Sequence, residues 1–191
     1  MIDESARLKA ARKLDHQALT EIFDLYAPAL YKYALRLCQD PVQADHVVGD
    51  VFARLLEQLA DGGGPRINLR SYLYQIAYHI LVDRSNVSYQ TIPLEEAAEI
   101  GDGNPPLEEA MEDDRLLETV MSAINLELTP DQRQVLLLRF VEGFTPQETS
   151  AILKKSLDNT KVIQTRALTK LRQVLVLGKL LDQEKQGRPA L

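Results

Sequence analysis

The chain has 191 residues, of which 45% are hydrophobic and 26% charged, a composition typical of globular domains rather than of disordered or fibrous chains. No aliphatic run is longer than that from Val135 to Leu138, which is too short for membrane insertion, and its single cysteine, Cys38, excludes an internal disulfide and a cysteine-based zinc site. The net charge of −6 argues against a nucleic-acid partner only until its distribution along the chain is considered.

The first predicted elements are two amphipathic helices. Large apolar residues recur at helical spacing over residues 22–37, where Pro28 is expected to kink or restart the helix. Asp40-Pro41 opens a second helix, which a glycine-rich stretch at 61–65 ends. The predicted apolar stripe of this second helix consists of Ala44, Val47, Val48, Val51, Phe52, Leu55, Leu56 and Leu59.

A third helix is expected over residues 71–84, and together these helices predict a three- or four-helix module at 1–86. Tyr72, Tyr74 and Tyr78 lie in this third helix. Aromatic side chains beside arginines can stack the bases of an unpaired nucleic-acid strand. Packing inside an amphipathic helix is the alternative, and the sequence leaves both interpretations open.

An acidic flexible linker is predicted at 87–118. This segment carries one basic and ten acidic side chains, contains three prolines, and has few large apolar groups. The remainder of the chain, 119–191, carries eleven basic and seven acidic side chains. The C-terminal third is therefore basic by itself, which reopens the case for a nucleic-acid partner.

Three helix starts come after the linker. Thr129 and Thr145 each precede a proline and stand three residues before Gln132 and Glu148, the pattern of a capping box with proline at the first helical position. Ser156 is the candidate cap of a third helix, and Gly143 is suited to a left-handed conformation at the end of the first.

The spacing of these starts predicts a helix-turn-helix, with helices at 146–154 and 158–177. A further helix at about 115–127 is expected to pack behind it. The second module is therefore assigned to 119–180, with a tail at 181–191. The fold class predicted for the whole chain is all-α, with two small helical domains.

The second helix of the pair has two contrasting faces. At 100° per residue, its buried side is predicted to hold Thr160, Ile163, Ala167, Leu171, Val174 and Leu175. The opposite arc holds Lys161, Val162, Thr165, Arg166, Thr169 and Arg172, and no carboxylate occurs between Asn159 and Gly178. Cations for phosphates and short side chains for base edges are the groups that a helix needs in the major groove. Val162 suits a thymine methyl.

Both halves of the chain resemble one family. Residues 128–143 (LTPDQRQVLLLRFVEG) and 161–172 (KVIQTRALTKLR) are similar to the C-terminal promoter-binding domain of extracytoplasmic-function (ECF) sigma factors of the sigma-70 family. Residues 44–52 (ADHVVGDVF) and 72–77 (YLYQIA) are similar to the other domain of that family, known as region 2. The function implied is to bind core RNA polymerase and direct promoter-specific initiation at −10 and −35 elements.

The resemblance also implies site residues. Those that dock on the clamp coiled coil of RNA polymerase are Asp45, Val48, Asp50, Val51, Arg54 and Leu55. Those that melt and hold the −10 element, together with the glycine-rich loop at 61–68, are Arg66, Asn68, Arg70, Tyr72, Gln75 and His79. Those that read the −35 element from the second module, known as region 4, are Lys155, Ser156, Asn159, Lys161, Val162, Thr165 and Arg166. The implied partners are the polymerase clamp and flap, promoter DNA and an anti-sigma factor, with no cofactor.

Five residues depart from the pattern of that family. They are His46, where Asp is usual, Gly49 for Gln, Tyr72 for Trp, His79 for Asn, and Lys154 for Gly in the turn of the helix-turn-helix. A glycine inside a helix costs about 1 kcal/mol relative to alanine. A positive φ at Lys154 would strain the turn.

Three other functions compete with this one. An enzyme is disfavoured because the sequence shows no catalytic set, no phosphate loop and no paired metal ligands. A helix-turn-helix regulator that binds DNA without polymerase is the main alternative, and a sigma-like adaptor that no longer initiates transcription is another. The lack of a signal-peptide pattern and the single cysteine predict a cytoplasmic location.

Overall fold

The computed structural model describes residues 4–88 and 120–186, and every regular element within these ranges is helical. The all-α prediction is therefore confirmed for this part of the chain. Of the predicted acidic linker, only residues 87 and 88 are described, and they belong to the last helix of the first module. The rest of the linker and residues 187–191 lie outside the described residues.

The first module consists of four helices: α1 (Glu4–Ala11), α2 (His16–Cys38), α3 (Pro41–Ala60) and α4 (Leu69–Ser88). Asp15 caps α2 by accepting a hydrogen bond from the backbone N–H of Ala18. Pro28 lies inside α2 and does not restart it, since the helix is continuous over 23 residues.

Helix α3 begins and packs as its sequence predicts. Asp40 accepts hydrogen bonds from the backbone N–H groups of Val42 and Gln43, and Pro41 occupies the first turn, where its missing N–H costs nothing. All members of the predicted apolar stripe are buried except Leu56, which is 43% exposed. The stripe packs α3 against α2 and α4.

The second module also consists of four helices: α5 (120–127), α6 (Pro130–Leu136), α7 (Pro146–Ile152) and α8 (Leu157–Gln186). Complete capping boxes are present at Thr129 and Thr145, as predicted. Gly143 adopts φ +72°, which confirms the left-handed position expected there. Helix α8 extends six residues into the predicted tail.

A π-helical turn that no sequence pattern predicted continues α6 over Leu137–Val141. The backbone N–H of Glu142 closes this turn by donating to the carbonyl of Leu137 at 2.9 Å. Such turns hold one more residue than an α-helical turn and so rotate the next segment of the chain. The turn leads Glu142 and Phe144 toward the first module.

The two modules share a hydrophobic core. Buried residues of α6, the π-helical turn, α7 and the segment before α7 belong to the same cluster as the core of the first module, and among them are Val135, Leu138, Phe144 and Ile152. A smaller second cluster joins α5, α6 and α8 through residues such as Ile124 and Leu171. In this structure the modules are therefore packed directly on each other, with α7 against α4.

Membrane spans and metal clusters are both absent from the described residues. None of the helices between 4 and 88 or between 120 and 186 is long and apolar enough to cross a membrane. Over the same ranges, no group of three or more histidine, cysteine, aspartate or glutamate side chains is placed to hold a metal ion.

Candidate nucleic-acid interface

Helix α8 has the two faces that its sequence predicts. On the predicted buried side, Thr160 and Ala167 are fully buried and Leu171 nearly so, because they pack toward α5, α6 and α7. The other three residues predicted there, Ile163, Val174 and Leu175, are half-buried. All six residues of the predicted DNA-reading arc, which we call the α8 arc, are exposed: Lys161, Val162, Thr165, Arg166, Thr169 and Arg172. Val162 leaves 45% of its surface exposed although it is apolar.

The hydroxyl groups of the α8 arc are oriented by their own helix. Thr165 donates to the carbonyl of Lys161 at 3.0 Å, and Thr169 donates to the carbonyl of Thr165 at 2.9 Å. Because each hydroxyl proton is used in this way, its oxygen presents lone pairs outward. The arc therefore combines hydrogen-bond acceptors with the cations of Lys161 and Arg166.

The turn before α8 is held in a tight geometry. Lys154 adopts φ +51°, so the strain predicted for a non-glycine residue at this position is present. Ser156 caps α8 by accepting a hydrogen bond from the backbone N–H of Asn159 at 3.2 Å, and both residues are exposed. The Lys155 ammonium lies 3.0 Å from the Asp131 carboxylate, which holds this side chain against the start of α6.

The residues predicted to hold the −10 element lie on α4 and in the loop before it, and the second module contacts several of them. Asn68 donates to the Glu148 carboxylate at 3.3 Å, and Gln75 donates to the carbonyl of Ala151 at 3.2 Å. Arg70 donates to the backbone carbonyl of Glu142. Three of the six predicted residues are therefore bonded to α7 or to the segment before it. We call the surface formed by Asn68, Arg70 and Gln75 the α4 face.

The other three predicted −10 residues remain outside these contacts. Arg66 is exposed in the loop before α4, and Tyr72 is half-buried. His79 is also half-buried, and its ring Nδ1 lies within hydrogen-bond distance of the Gln75 carbonyl of the same helix.

Glu142 is the centre of the contact between the modules. Its side chain is only 8% exposed, and its carboxylate lies 3.6 Å from Arg36 and 3.7 Å from Arg70. The Tyr74 hydroxyl donates to the same carboxylate. The Arg70 guanidinium also lies 4.1 Å from the ring centroid of Phe144, within the range of a cation–π contact. One carboxylate of the second module thus neutralises two cations of the first.

Tyr74 and Tyr78 of α4 pack inside the protein rather than forming an open stacking surface. Tyr74 is fully buried, with its ring centroid 5.1 Å from that of Tyr33 and 4.9 Å from that of Phe144. Tyr78 is 8% exposed. The stacking interpretation is therefore wrong for Tyr74 and Tyr78 in this conformation, and the packing alternative holds.

Burial also changes the acidity of the tyrosines at this contact. Burial raises the pKa of Tyr74 well above its usual value, and the hydrogen bond to Glu142 raises that pKa further. Burial likewise raises the pKa of Tyr33, whose hydroxyl donates to the side-chain carbonyl of Gln134. Both phenols therefore stay protonated and keep their hydrogen bonds at neutral pH.

The polymerase-docking residues predicted on α3 fall into two groups. Asp45, Asp50 and Arg54 are exposed. Val48, Val51 and Leu55, by contrast, are 7%, 0% and 1% exposed, because they belong to the core stripe. We therefore correct the prediction that these three side chains contact the polymerase directly. In this structure they hold α3 in the module.

Two further features of this surface bear on docking. Gly49 is exposed, and a Cβ built on it would meet nothing within 4 Å, so no steric constraint requires glycine there. Two apolar side chains that were not among the predicted docking residues are also exposed, Phe23 by 46% and Leu56 by 43%, and Phe23 packs on Phe52. The apolar pattern assigned Leu56 to the core, which is wrong in this structure, and it did not include Phe23.

Comparison with known protein families gave two matches. Residues 22–85 match the family described as sigma-70 region 2, and residues 126–173 match sigma-70 region 4. Together these segments make up more than half of the chain, and one lies within each of the two modules.

Curated relatives cover most of the chain. The ECF RNA polymerase sigma factor SigX of Bacillus subtilis is 28% identical over 173 residues, which are 85% of this chain and 87% of that protein. The ECF sigma factor SigD of Mycobacterium tuberculosis is 28% identical over 177 residues, covering 85% and 79% of the two chains. BldN of Streptomyces coelicolor is 24% identical over 180 residues, covering 90% and 67%.

Solved structures share the fold. CnrH in complex with the cytosolic domain of CnrY superimposes with a TM-score of 0.67 at 20% identity, covering 91% of this chain and 99% of CnrH. The sigma factor RpoE of Bartonella quintana, in complex with the anti-sigma factor NepR, gives a TM-score of 0.61 at 22% identity, covering 82% and 95% of the two chains.

Proposed function

The chain belongs to the ECF group of the sigma-70 family and directs promoter-specific initiation by core RNA polymerase, and from this premise we propose how its two modules divide that function. The second module reads the −35 element as a duplex, through the α8 arc. The first module docks on the polymerase and holds the −10 element, through α4 and the glycine-rich loop before it.

The observation that carries this division is the exposure of the α8 arc. Six neighbouring side chains on one face are cationic, hydroxyl-bearing or small and apolar, and no carboxylate interrupts the sequence from Thr160 to Leu177. Arginine and lysine suit phosphates and guanine edges, whereas Val162 suits a thymine methyl. A helix of 30 residues is long enough to enter a groove with one end while the other packs on α5.

Polymerase docking is assigned to the exposed side of α3. We propose that Asp45, Asp50 and Arg54 supply its polar contacts, while Phe23 and Leu56 supply apolar area. The buried Val48, Val51 and Leu55 support this surface from below. An exposed apolar pair rimmed by charges is a common composition for a protein–protein interface.

The α4 face needs a conformational change before it can bind DNA. Asn68, Arg70 and Gln75 are bonded to the second module, so a promoter strand and α7 compete for the same groups. We propose that docking on the polymerase separates the modules and exposes this face. The α8 arc lies outside the contact and needs no such change.

An anti-sigma factor is the further partner that we propose. CnrH and the Bartonella RpoE were both solved in complexes, the first with CnrY and the second with the anti-sigma factor NepR. In this chain the exposed Phe23 and Leu56 offer such a partner the surface that the polymerase uses. Competition for one surface would couple release of the partner to initiation.

Sigma factors are not enzymes, and the proposed mechanism uses binding alone, without a catalytic group or cofactor. We infer that the chain acts in the cytoplasm, where its polymerase is. No metal ion is required for the contacts assigned to either module.

Run-off transcription with purified core polymerase and fragmented genomic DNA tests this function. We expect discrete transcripts that depend on the chain and that share two conserved upstream elements. A helix-turn-helix regulator would instead bind promoter DNA without polymerase and add no transcript. A sigma-like adaptor would co-elute with polymerase and still add none, so either result would contradict the proposal.

A further inference from the structure

A single arginine holds the glycine-rich loop that precedes α4. The Arg12 guanidinium donates through Nη1 to the backbone carbonyls of Gly63, Gly64 and Pro65, at 2.8, 3.3 and 3.1 Å. Through Nη2 it donates to the carbonyl of Gly62 at 3.1 Å. Four consecutive carbonyl groups of the loop therefore converge on one side chain.

The loop reaches this conformation because of its glycines. Gly62 and Gly64 adopt φ values of +75° and +77°, which residues other than glycine rarely adopt, and the intervening Gly63 has no positive φ. Alternation of this kind turns successive carbonyls toward one side of the chain. A Cβ at Gly64 would also lie 2.9 Å from the Leu59 side chain, so the loop sits closely on α3.

The backbone of Arg12 is itself held in place by α1. Its backbone N–H donates to the carbonyl of Leu8 at 3.0 Å, so it continues the last turn of α1. Leu8 and Ala11 are buried against the module, which anchors α1. The guanidinium is planar with five donors in a fork, so it can serve several carbonyls at once, whereas a lysine ammonium is a single point charge with three.

The far end of the loop is fixed by a different device. Asn68 adopts φ +53°, and its side-chain oxygen accepts a hydrogen bond from the backbone N–H of Ser71 at 3.2 Å, which caps α4. Between the two fixed points lie Arg66 and Ile67. Ile67 is 84% exposed, the most exposed large apolar side chain among the described residues.

We propose that Arg12 is a positioning residue for recognition of the −10 element. It holds the loop so that Ile67 presents an apolar contact to an unpaired base while Arg66 faces the phosphates. This proposal rests on the proposed function of the loop. It adds a residue outside the segment that matches region 2, which begins at residue 22.

The first test measures the loop in the free chain. Backbone ¹⁵N relaxation of Gly62, Gly63 and Gly64 is compared between the wild type and the Arg12→Ala variant. We expect order parameters to fall from about 0.85, typical of rigid backbone, to below about 0.6. Unchanged order parameters would overturn the proposal whether or not the chain initiates transcription.

The second test measures base preference during transcription. Core polymerase and full-length chain transcribe a promoter library randomised across both elements, and the transcripts are sequenced. We expect Arg12→Ala to reduce base preference at the −10 element at least fivefold while preference at the −35 element is unchanged. Equal loss at both elements would indicate general destabilisation and would overturn a positioning role.

Matched variants separate geometry from charge. Lys13→Ala removes the same charge from the adjacent, exposed position and should transcribe the library as the wild type does. Arg12→Lys keeps the charge but not the fork, so it should restore only part of the −10 preference. Full restoration by lysine would contradict the four-carbonyl contact and indicate a simple phosphate contact instead.

Ile67→Ala tests the apolar contact that the loop presents. Because the side chain is exposed, its truncation should leave the melting temperature unchanged and reduce preference at one −10 position. Wild-type preference in this variant would overturn the role of Ile67. If the wild-type chain itself yields no transcripts from the library, the proposed function fails, whereas the relaxation experiment still decides whether Arg12 holds the loop.

Discussion

The two candidate DNA-binding surfaces of this molecule differ in accessibility. The α8 arc is exposed along six residues, whereas three of the six predicted −10 residues on and before α4 are bonded to the other module. The positions of the carboxylates contribute to this difference. Glu142 and Glu148 stand at the contact with α4, while the α8 arc contains none.

This asymmetry indicates an order of events. A surface that is already exposed can search duplex DNA, whereas a covered surface must first lose its internal partners. The Glu142 side chain is only 8% exposed, and a buried charge that loses a partner without gaining another is strongly unfavourable. We therefore expect Arg70 to leave Glu142 only when the polymerase or a nucleic-acid phosphate offers these charges new partners.

The largest expected effect comes from placing a charge in the core of the first module. Val51 is fully buried, so Val51→Asp should destabilise the module by about 3–5 kcal/mol and abolish docking, because an unpaired charge would be buried. Thermal unfolding and co-elution with core polymerase measure this. Ala53→Asp, on the exposed side of α3, is the control. A folded and active Val51→Asp variant would show that the stripe is not the core.

The next effect concerns the exposed surface. Arg166→Ala and Lys161→Ala should each weaken duplex binding. If the lost contact is to a base, we expect a loss of about 1–3 kcal/mol in binding free energy and a relaxed preference at one base position. If it is to a phosphate, we expect the dependence of the logarithm of the binding constant on the logarithm of the salt concentration to fall in slope by about 1. Anisotropy titrations at several salt concentrations measure this. Lys9→Ala, an exposed lysine of α1, controls for charge alone. Wild-type binding by both variants would remove α8 as the reading helix.

At the α4 face, by contrast, a substitution should strengthen rather than weaken DNA binding. Glu142→Gln removes the charge that Arg36 and Arg70 share, so the modules should separate more readily. A larger competent fraction strengthens apparent affinity in proportion, and we expect about a 3–10-fold gain for single-stranded −10 DNA without polymerase. Glu127→Gln, at an exposed pair with Lys170, should change nothing. Unchanged or weaker binding by Glu142→Gln would contradict the covering role.

The smallest expected effect is a dependence of folding stability on pH, through Glu148 at the edge of the contact between the modules. Hydrogen bonds from the Thr145 backbone and hydroxyl hold the pKa of Glu148 below its usual 4.5, and the bond from Asn68 adds to this. The ionised carboxylate therefore stabilises the folded chain above about pH 4.5, and this contribution is lost as the pH falls through the lowered pKa.

Urea unfolding at about pH 6 and about pH 3 checks this dependence. The difference in midpoint between the wild type and Glu148→Gln should be present at the higher pH and smaller at the lower one. Thr145 remains in both proteins, so its own capping bond is constant. An equal difference at both values would show that the charge of Glu148 contributes nothing.

The sequence predicted those parts of the structure that depend on neighbouring residues. Capping boxes at Thr129 and Thr145, the left-handed Gly143 and the buried stripe of α3 all result from local spacing, and all are present. The two faces of α8 result from helical periodicity in the same way. The family resemblance, confirmed by both matching segments, supplied the function.

Contacts between distant residues could not be predicted in this way. Glu142 meets Arg70 across 72 positions, after a π-helical turn that no local pattern signalled. Arg12 meets Gly63 across 51 positions. The role of Tyr74 could not be predicted, because an aromatic residue that packs in the core and one that stacks on bases have the same helical spacing. The contact with Phe144, 70 positions away in the sequence, decides in favour of packing.

The central claim is that the α4 face opens before initiation, and a reversible cross-link tests it most directly. Gln75→Cys and Ala151→Cys, in a Cys38→Ser background, place one thiol on each side of the contact at which Gln75 donates to the Ala151 carbonyl. A bis-maleimide with an internal disulfide joins the two thiols, so the choice does not require the geometry of a direct disulfide. The cross-linked chain should keep duplex binding through α8 yet fail to initiate with core polymerase, and reduction of the linker in the same sample should restore transcripts. Equal initiation before and after reduction would contradict the account.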